Sequence, residues 1–237
     1  MIDIIQQYWK PFLWSDGYNL SGLAVTMWLL SLSLFFGFFA AIPLAIAKVS
    51  RSRWLAWPTW LFSYIFRGTP LYVQLLFFYT GIYSLDAVRD VDVLNQFFRD
   101  GYNCTILAFA LNTCAYTVEI FAGAIKATPY GEIEAGRAYG MNRFTLYRRV
   151  IIPSALRRAL PAYSNEVILM LHSTTVAFVA TVPDILKVAR DVNAATYDSF
   201  NAFGLAALIY LCITFVLVGI FRRAETKWLS HLRPVKV

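Results

Sequence analysis

Residues 129–153, PYGEIEAGRAYGMNRFTLYRRVIIP, form the longest polar insert in a chain that is otherwise mostly apolar. The insert carries few groups suited to covalent chemistry. Its pattern predicts two short helices, Glu132 to Tyr139 ending at Gly140, a good C-cap position, and Arg143 to Ile152 ending at Pro153. A polar, glycine-punctuated pair of helices hung between hydrophobic segments reads as a handle by which another protein grips this one.

The composition around it sets the class. Hydrophobic residues make up 59% of the 237 positions and charged residues 15%, against about 45–50% and about 25% in soluble domains. A core of this size cannot hide that excess, so the chain reads as an all-α integral membrane protein. Residues 1–19 contain Asp3 and Asp16, lack a basic start and never form an apolar run, so no cleavable signal is expected and insertion falls to the first span. The net charge of +7 is spread over connecting segments and forms no single stripe, which argues against nucleic acid. Cys104, Cys114 and Cys212 lie in apolar runs without metal or disulfide spacing, and are expected to be small buried hydrophobes.

Five spans are predicted. Leu20–Ala47 is uncharged and long enough to cross about 30 Å of hydrocarbon. Trp54–Tyr83 is interrupted by Pro58, Gly68 and Pro70, so its halves count as one discontinuous span. Tyr102–Ile125, Leu160–Val182 and Ala202–Phe221 follow, separated by mixed loops at 84–101 and 183–201 and by the insert at 126–159. The domain reading is an extracytoplasmic segment 1–19, a transmembrane domain 20–221 and a basic tail 222–237. Fifteen Lys and Arg residues fall on the side of the insert and tail and five on the other, with Arg67 inside a span. That bias puts the amino terminus outside and the insert and carboxyl terminus in the cytoplasm.

Signatures of catalysis are lacking. With two histidines, His172 and His231, a histidine metal site or triad has little material. The segment Gly131–Ala138, GEIEAGRA, has the glycine spacing of a phosphate loop, but Arg137 and Ala138 replace its Lys and Ser/Thr, and Glu132 and Glu134 would repel phosphate. Energy for any work must therefore come from a partner or an ion gradient. Arg148 and Arg149, near a helix end, suit lipid phosphates.

Polar residues inside the spans are the second clue, because a carboxylate at mid-bilayer costs about 2.5–3.5 kcal/mol on insertion scales. Asn112, Tyr116 and Glu119 share one helix face, and Asn165 and His172 share another, with Glu166 and Ser173 beside it. The plainer reading is helix-to-helix bonding, with Arg67 a possible partner for either glutamate. The functional reading is a wet cavity for a zwitterionic solute, where Glu166 favours a cationic side chain.

Glu134-Ala135-Gly136, Gly140 after three residues and Val150-Ile151-Ile152-Pro153 after nine more resemble the EAA signature of ATP-binding-cassette (ABC) importer permeases. Gly136, Val150 and Ile152 depart mildly from it. FRGTPLYVQLLFFY (66–79), AYTVEIFAGAI (115–125) and LPAYSNEVILMLHSTT (160–175) are similar to segments of the polar amino acid uptake permeases, most of all the branch importing histidine, lysine, arginine and ornithine. The resemblance implies a type I ABC importer permease fold, and a coupling elbow at Glu134, Ala135, Gly136, Arg137 and Gly140. It also implies a paralogous permease, a cytoplasmic ATPase dimer that uses ATP and Mg while this chain holds no cofactor, and an extracytoplasmic binding protein. Related permeases often carry Lys where His172 stands. Asn112, Glu119, Asn165, Glu166, His172 and Ser173 are the expected substrate contacts. The alternatives are a permease for another polar amino acid and a gradient-driven carrier or channel working through Glu119 and Glu166.

Overall fold

A computed structural model describes residues 2–229. The described residues are mostly helical, with no β-strand among them. In chain order the helices are α1 (Ile2–Leu13), α2 (Gly22–Lys48), α3 (Arg53–Gly68), α4 (Leu71–Leu76), α5 (Asp86–Arg89), α6 (Asp92–Arg99), α7 (Gly101–Lys126), α8 (Tyr130–Ala138), α9 (Arg143–Leu146), α10 (Ile152–Ser173), α11 (Ile185–Thr196) and α12 (Ser199–Trp228). Among the described residues three of these, α2, α7 and α12, are long and apolar enough to cross a membrane. The α3 helix has 16 residues, and α10 carries Arg157, Arg158 and Glu166.

The bundle is built on α2 against α7. Ser33, Gly37, Ala41 and Ala45 recur every four residues on the buried face of α2, which stacks small side chains in one stripe. A Cβ at Gly37 would lie 2.5 Å from Thr113 Cγ2 and 3.2 Å from the Ala110 carbonyl of α7, so the two backbones meet where a side chain has no room. Cys114, Val118, Phe121 and Ala122 complete this seam, and α10 closes it with Ala155 and Ala159. Cys104 and Cys114 are buried as expected, whereas Cys212 is exposed on α12, because that helix turns most of its apolar length outward.

Pro58 does not break the second apolar stretch, since α3 runs through it as far as Gly68; the interruption is at Thr69 and Pro70. Nor does Pro153 end the second insert helix. Arg143 to Ser173 is continuously helical, with a π turn at Tyr147–Ile151 and Pro153 in the first turn of α10. Pro153 has no N–H to give to the turn before it, and the helix absorbs the missing bond beside its π turn instead of ending. Helices also occupy the segments read as loops. The α11 helix buries Ile185, Val188, Ala189 and Val192, and packs with Phe12 of α1 and Ala202 and Ala206 of α12. The basic tail continues α12 as far as Trp228; His231 and the end of the tail lie outside the described residues.

Candidate functional site

The interruption between α3 and α4 would leave the last carbonyls of α3 without partners in an apolar setting. Two amides resolve this. Gln74 Nε2 donates to the carbonyls of Phe66 (2.7 Å) and Thr69 (3.0 Å) and to Thr69 Oγ1 (2.8 Å). Asn112 Nδ2, from α7, donates to Phe66 O (3.0 Å) and to Gln74 Oε1 (3.2 Å). Asn112 thus holds the break in shape. Gln74 was not singled out in the sequence, although an amide inside an apolar half-span carries the same cost that drew attention to the glutamates.

A cavity of about 490 Å³ opens at this break, lined by Arg67, Asn112, Tyr116, Glu166, Met170 and Ser173 among others. Arg67 stands 5.2 Å over the Tyr116 ring and lies 3.0 Å from Glu119 Oε1. Glu119 is further held by Lys48 Nζ of α2 and by Ser63 Oγ of α3 at 2.8 Å. It stands outside the cavity wall, as the centre of an ion-pair cluster joining α2, α3 and α7. Glu166 differs: it is 6% exposed, accepts one hydrogen bond from Thr113 Oγ1 at 3.1 Å, and borders the cavity.

The other expected contacts divide by helix face. Glu166 and Ser173, seven residues apart on α10, line the cavity. Asn165 and His172, one residue earlier on the same helix, are exposed and do not; His172 Nε2 lies 3.3 Å from Thr214 Oγ1 of α12. A shift of one residue turns a helical side chain by about 100°, which moves the second line off the wall shared with α7.

The elbow is formed by α8 and the turn after it. The Met141 N–H donates to Gly136 O (3.1 Å) and the Gly140 N–H to Arg137 O (2.9 Å), with Gly140 at φ +71°. This is the Schellman pattern, and it places a residue in the left-handed region that only glycine enters without strain. Gly136 is buried, and a Cβ there would lie 2.5 Å from Leu146 Cδ1, so α8 rests closely on the next helical segment. Glu134, Ala135, Arg137 and Gly140 are exposed. So are the aromatic rings of Tyr130 (66%), Tyr139 (86%) and Phe144 (74%).

One ion pair ties the elbow to the bundle. Glu132 accepts from Ser154 Oγ (2.6 Å) and Arg158 Nη2 (2.7 Å), both on α10, the helix that carries Glu166. The pair joins α8 directly to the helix bordering the cavity.

Residues 18–229 match the family described as the binding-protein-dependent transport system inner membrane component. The chain belongs to that family. This permease is 63% identical over 234 residues to the histidine/lysine/arginine/ornithine transport system permease protein HisM of Escherichia coli, covering 99% of this chain and 98% of the relative. It is 40% identical over 215 residues to the octopine transport system permease protein OccM of Rhizobium radiobacter, covering 90% and 87% of the two chains. Among solved structures it is similar to a chain of an amino acid ABC transporter crystallised with histidines, with a TM-score of 0.74, 29% identity, and coverage of 85% of this chain and 90% of that one. It is thus an inner-membrane transport subunit, with the type I permease fold and a role in amino acid transport; its relatives are permeases and not enzymes.

Proposed function

We propose that this permease imports the basic amino acids histidine, lysine, arginine and ornithine across the inner membrane as one subunit of an ABC importer. In this reading the domain at 20–221 crosses five times, with α3 and α4 together as the broken second span. The amino-terminal segment 1–19 is outside; the 126–159 elbow and the basic tail are in the cytoplasm. A paralogous permease completes the pathway, two ATPase subunits seat the elbows and supply the energy of ATP and Mg, and an extracytoplasmic binding protein delivers solute. The chain itself needs no cofactor.

The observation that carries the reading is the mechanical line from elbow to cavity. Exposed Glu134, Ala135 and Arg137, with the rings of Tyr130, Tyr139 and Phe144, form an unpartnered surface suited to a groove on another protein. Closure of that groove on ATP moves α8 as a body, because the Schellman turn fixes its end and Glu132 fixes its side to α10. At the other end of α10, Glu166 offers a negative charge to a cationic side chain, while Arg67 across the same cavity suits a carboxylate. Both ends of a basic amino acid thereby find a counter-charge. The gradient-driven alternative loses one relay group, since Glu119 is already held by two cations.

Gly140→Val tests the elbow. A β-branched residue in the left-handed region costs about 1–3 kcal/mol, and this turn is the seat of the coupling surface. In the reconstituted complex, ATP-driven uptake is expected to fall by at least tenfold while the subunits still assemble. Wild-type uptake and substrate-stimulated ATP hydrolysis in that variant would contradict the elbow's role.

A further inference from the structure

A second crevice, of about 950 Å³, opens at the elbow end of the bundle, away from the cavity beside Glu166. Its wall is Trp54, Trp57, Pro58 and Trp60 of α3, and its rim carries Lys48 at the end of α2, Arg53 at the start of α3 and Lys126 at the end of α7. The indoles are strongly exposed, at 91%, 62% and 47% for Trp54, Trp57 and Trp60. Their spacing of three residues lays them along one side of α3.

The charges at the rim are one-sided. Among the described residues no carboxylate lines the crevice. Lys48 is committed to Glu119, but Arg53 and Lys126 have neither an ion-pair nor a hydrogen-bond partner among the described residues. Indole is amphipathic and settles at the boundary between headgroups and acyl chains. An apolar aromatic wall beneath two uncompensated cations is complementary to a molecule with a hydrocarbon body and an anionic head. Basic pockets between membrane helices on the cytoplasmic side hold such headgroups.

We propose that this crevice is a binding site for an anionic phospholipid of the inner leaflet, its phosphate against Arg53 and Lys126 and its acyl chains along Trp54, Trp57 and Trp60. The leaflet rests on the orientation given above; the chemistry of the site does not. Lys48 lines the crevice while its ammonium group sits on Glu119, which Arg67 joins to the cavity wall, so the crevice lies next to the ion-pair cluster beside the cavity. A seam with the paralogous permease is the competing use of this face. It is less favoured, because it would bury Arg53 and Lys126 unless the partner supplied carboxylates to them.

The test uses the whole purified complex, incubated with mixed phosphatidylglycerol and phosphatidylethanolamine, washed in detergent and weighed with its retained lipid by native mass spectrometry. Wild type is expected to retain phosphatidylglycerol in preference. Arg53→Gln with Lys126→Gln is expected to retain it about twenty-fivefold less, since each cation near an anionic headgroup contributes about a factor of five. Arg222→Gln with Arg223→Gln removes the same charge elsewhere and is expected to change nothing. Trp57→Ala keeps the cations and is expected to lower retention through the wall alone. Equal retention in wild type and the Arg53/Lys126 variant, or equal loss in the Arg222/Arg223 control, would overturn the proposal. So would efficient short-range thiol cross-linking of Trp57→Cys to the paralogous permease. A complex that fails to transport but retains phosphatidylglycerol at this site would break the functional reading and leave the lipid site standing.

Discussion

Glu119 and Glu166 lie on two helices that touch, α7 and α10, and Thr113, the residue that bonds Glu166, is less than two turns from Glu119. Their surroundings are opposite. Glu119 gathers Lys48, Ser63 and Arg67 from α2 and α3, so its charge is spent on holding three helices together. Glu166 has one hydroxyl and an open cavity beside it. The difference shows that a carboxylate in an apolar helix is glue or a solute contact according to the cations that neighbouring helices bring to it. Arg67 stands between the two cases, paired with one and sharing a cavity with the other.

The largest expected effect comes from breaking the glue. Glu119→Gln leaves Lys48 and Arg67 without their carboxylate. Glu119 is about a third exposed, so the cost falls between the about 1 kcal/mol of exposed pairs and the about 3–5 kcal/mol of buried ones. A lower melting temperature in detergent and a poorer yield of assembled complex are expected; an unchanged melt would show that the cluster is not structural. Next comes Glu166→Gln, which keeps an acceptor for Thr113 and the volume of the side chain. Its melt is expected to stay near wild type, while arginine uptake falls about tenfold, the effect of losing about 1.4 kcal/mol of solute attraction. Unchanged uptake of basic amino acids by an intact complex would remove Glu166 from the substrate path.

A third carboxylate gives the smallest effect and sharpens the contrast. Asp184 is fully buried, caps α11 by accepting the N–H groups of Leu186 (3.1 Å) and Lys187 (2.9 Å), and accepts the Tyr210 hydroxyl (3.2 Å). Burial outweighs these bonds and pushes its acid up from 3.8 to about 6. The fold therefore favours the protonated form. The contribution from this group is fully present below about pH 4 and is lost as the pH rises through about 6. Asp184→Asn is expected to flatten that limb of the stability profile, read as melting temperature between pH 4 and 7, and to leave uptake at neutral pH intact. A limb that persists in the variant would assign it to other groups.

These partnerships explain which features were legible in the sequence. Composition exposed the membrane class, the break after Gly68 appeared where a glycine and a proline lie two residues apart, and Gly140 was marked as a turn by its place after a helical run. Each is a local property. Arg67 could be named as a partner of Glu119 because it is a cation inside a span, but Lys48 and Ser63 are 71 and 56 residues from Glu119 in the chain and Arg158 is 26 from Glu132, so no spacing rule points to them. Gln74 was visible as an amide in an apolar run, but its purpose depends on carbonyls freed by the break. The α11 helix carried an i, i+3, i+4, i+7 pattern in Ile185, Val188, Ala189 and Val192, hidden by the mixed charges of its other face. Continuity across Pro153 was not legible, because a proline ordinarily ends a helical run and here a π turn beside it lets the helix continue.

The central claim is that ATP energy enters at the elbow and moves a basic amino acid past Glu166. The most direct measurement is uptake of labelled arginine by vesicles containing the complex copurified on a tag on this chain, with its binding protein, in the presence of ATP or of a proton gradient alone. The expected result is a paralogous permease and an ATPase in the copurified complex and accumulation only with ATP, competed by lysine, ornithine and histidine. Accumulation driven by the proton gradient in vesicles containing this chain without the ATPase would contradict it.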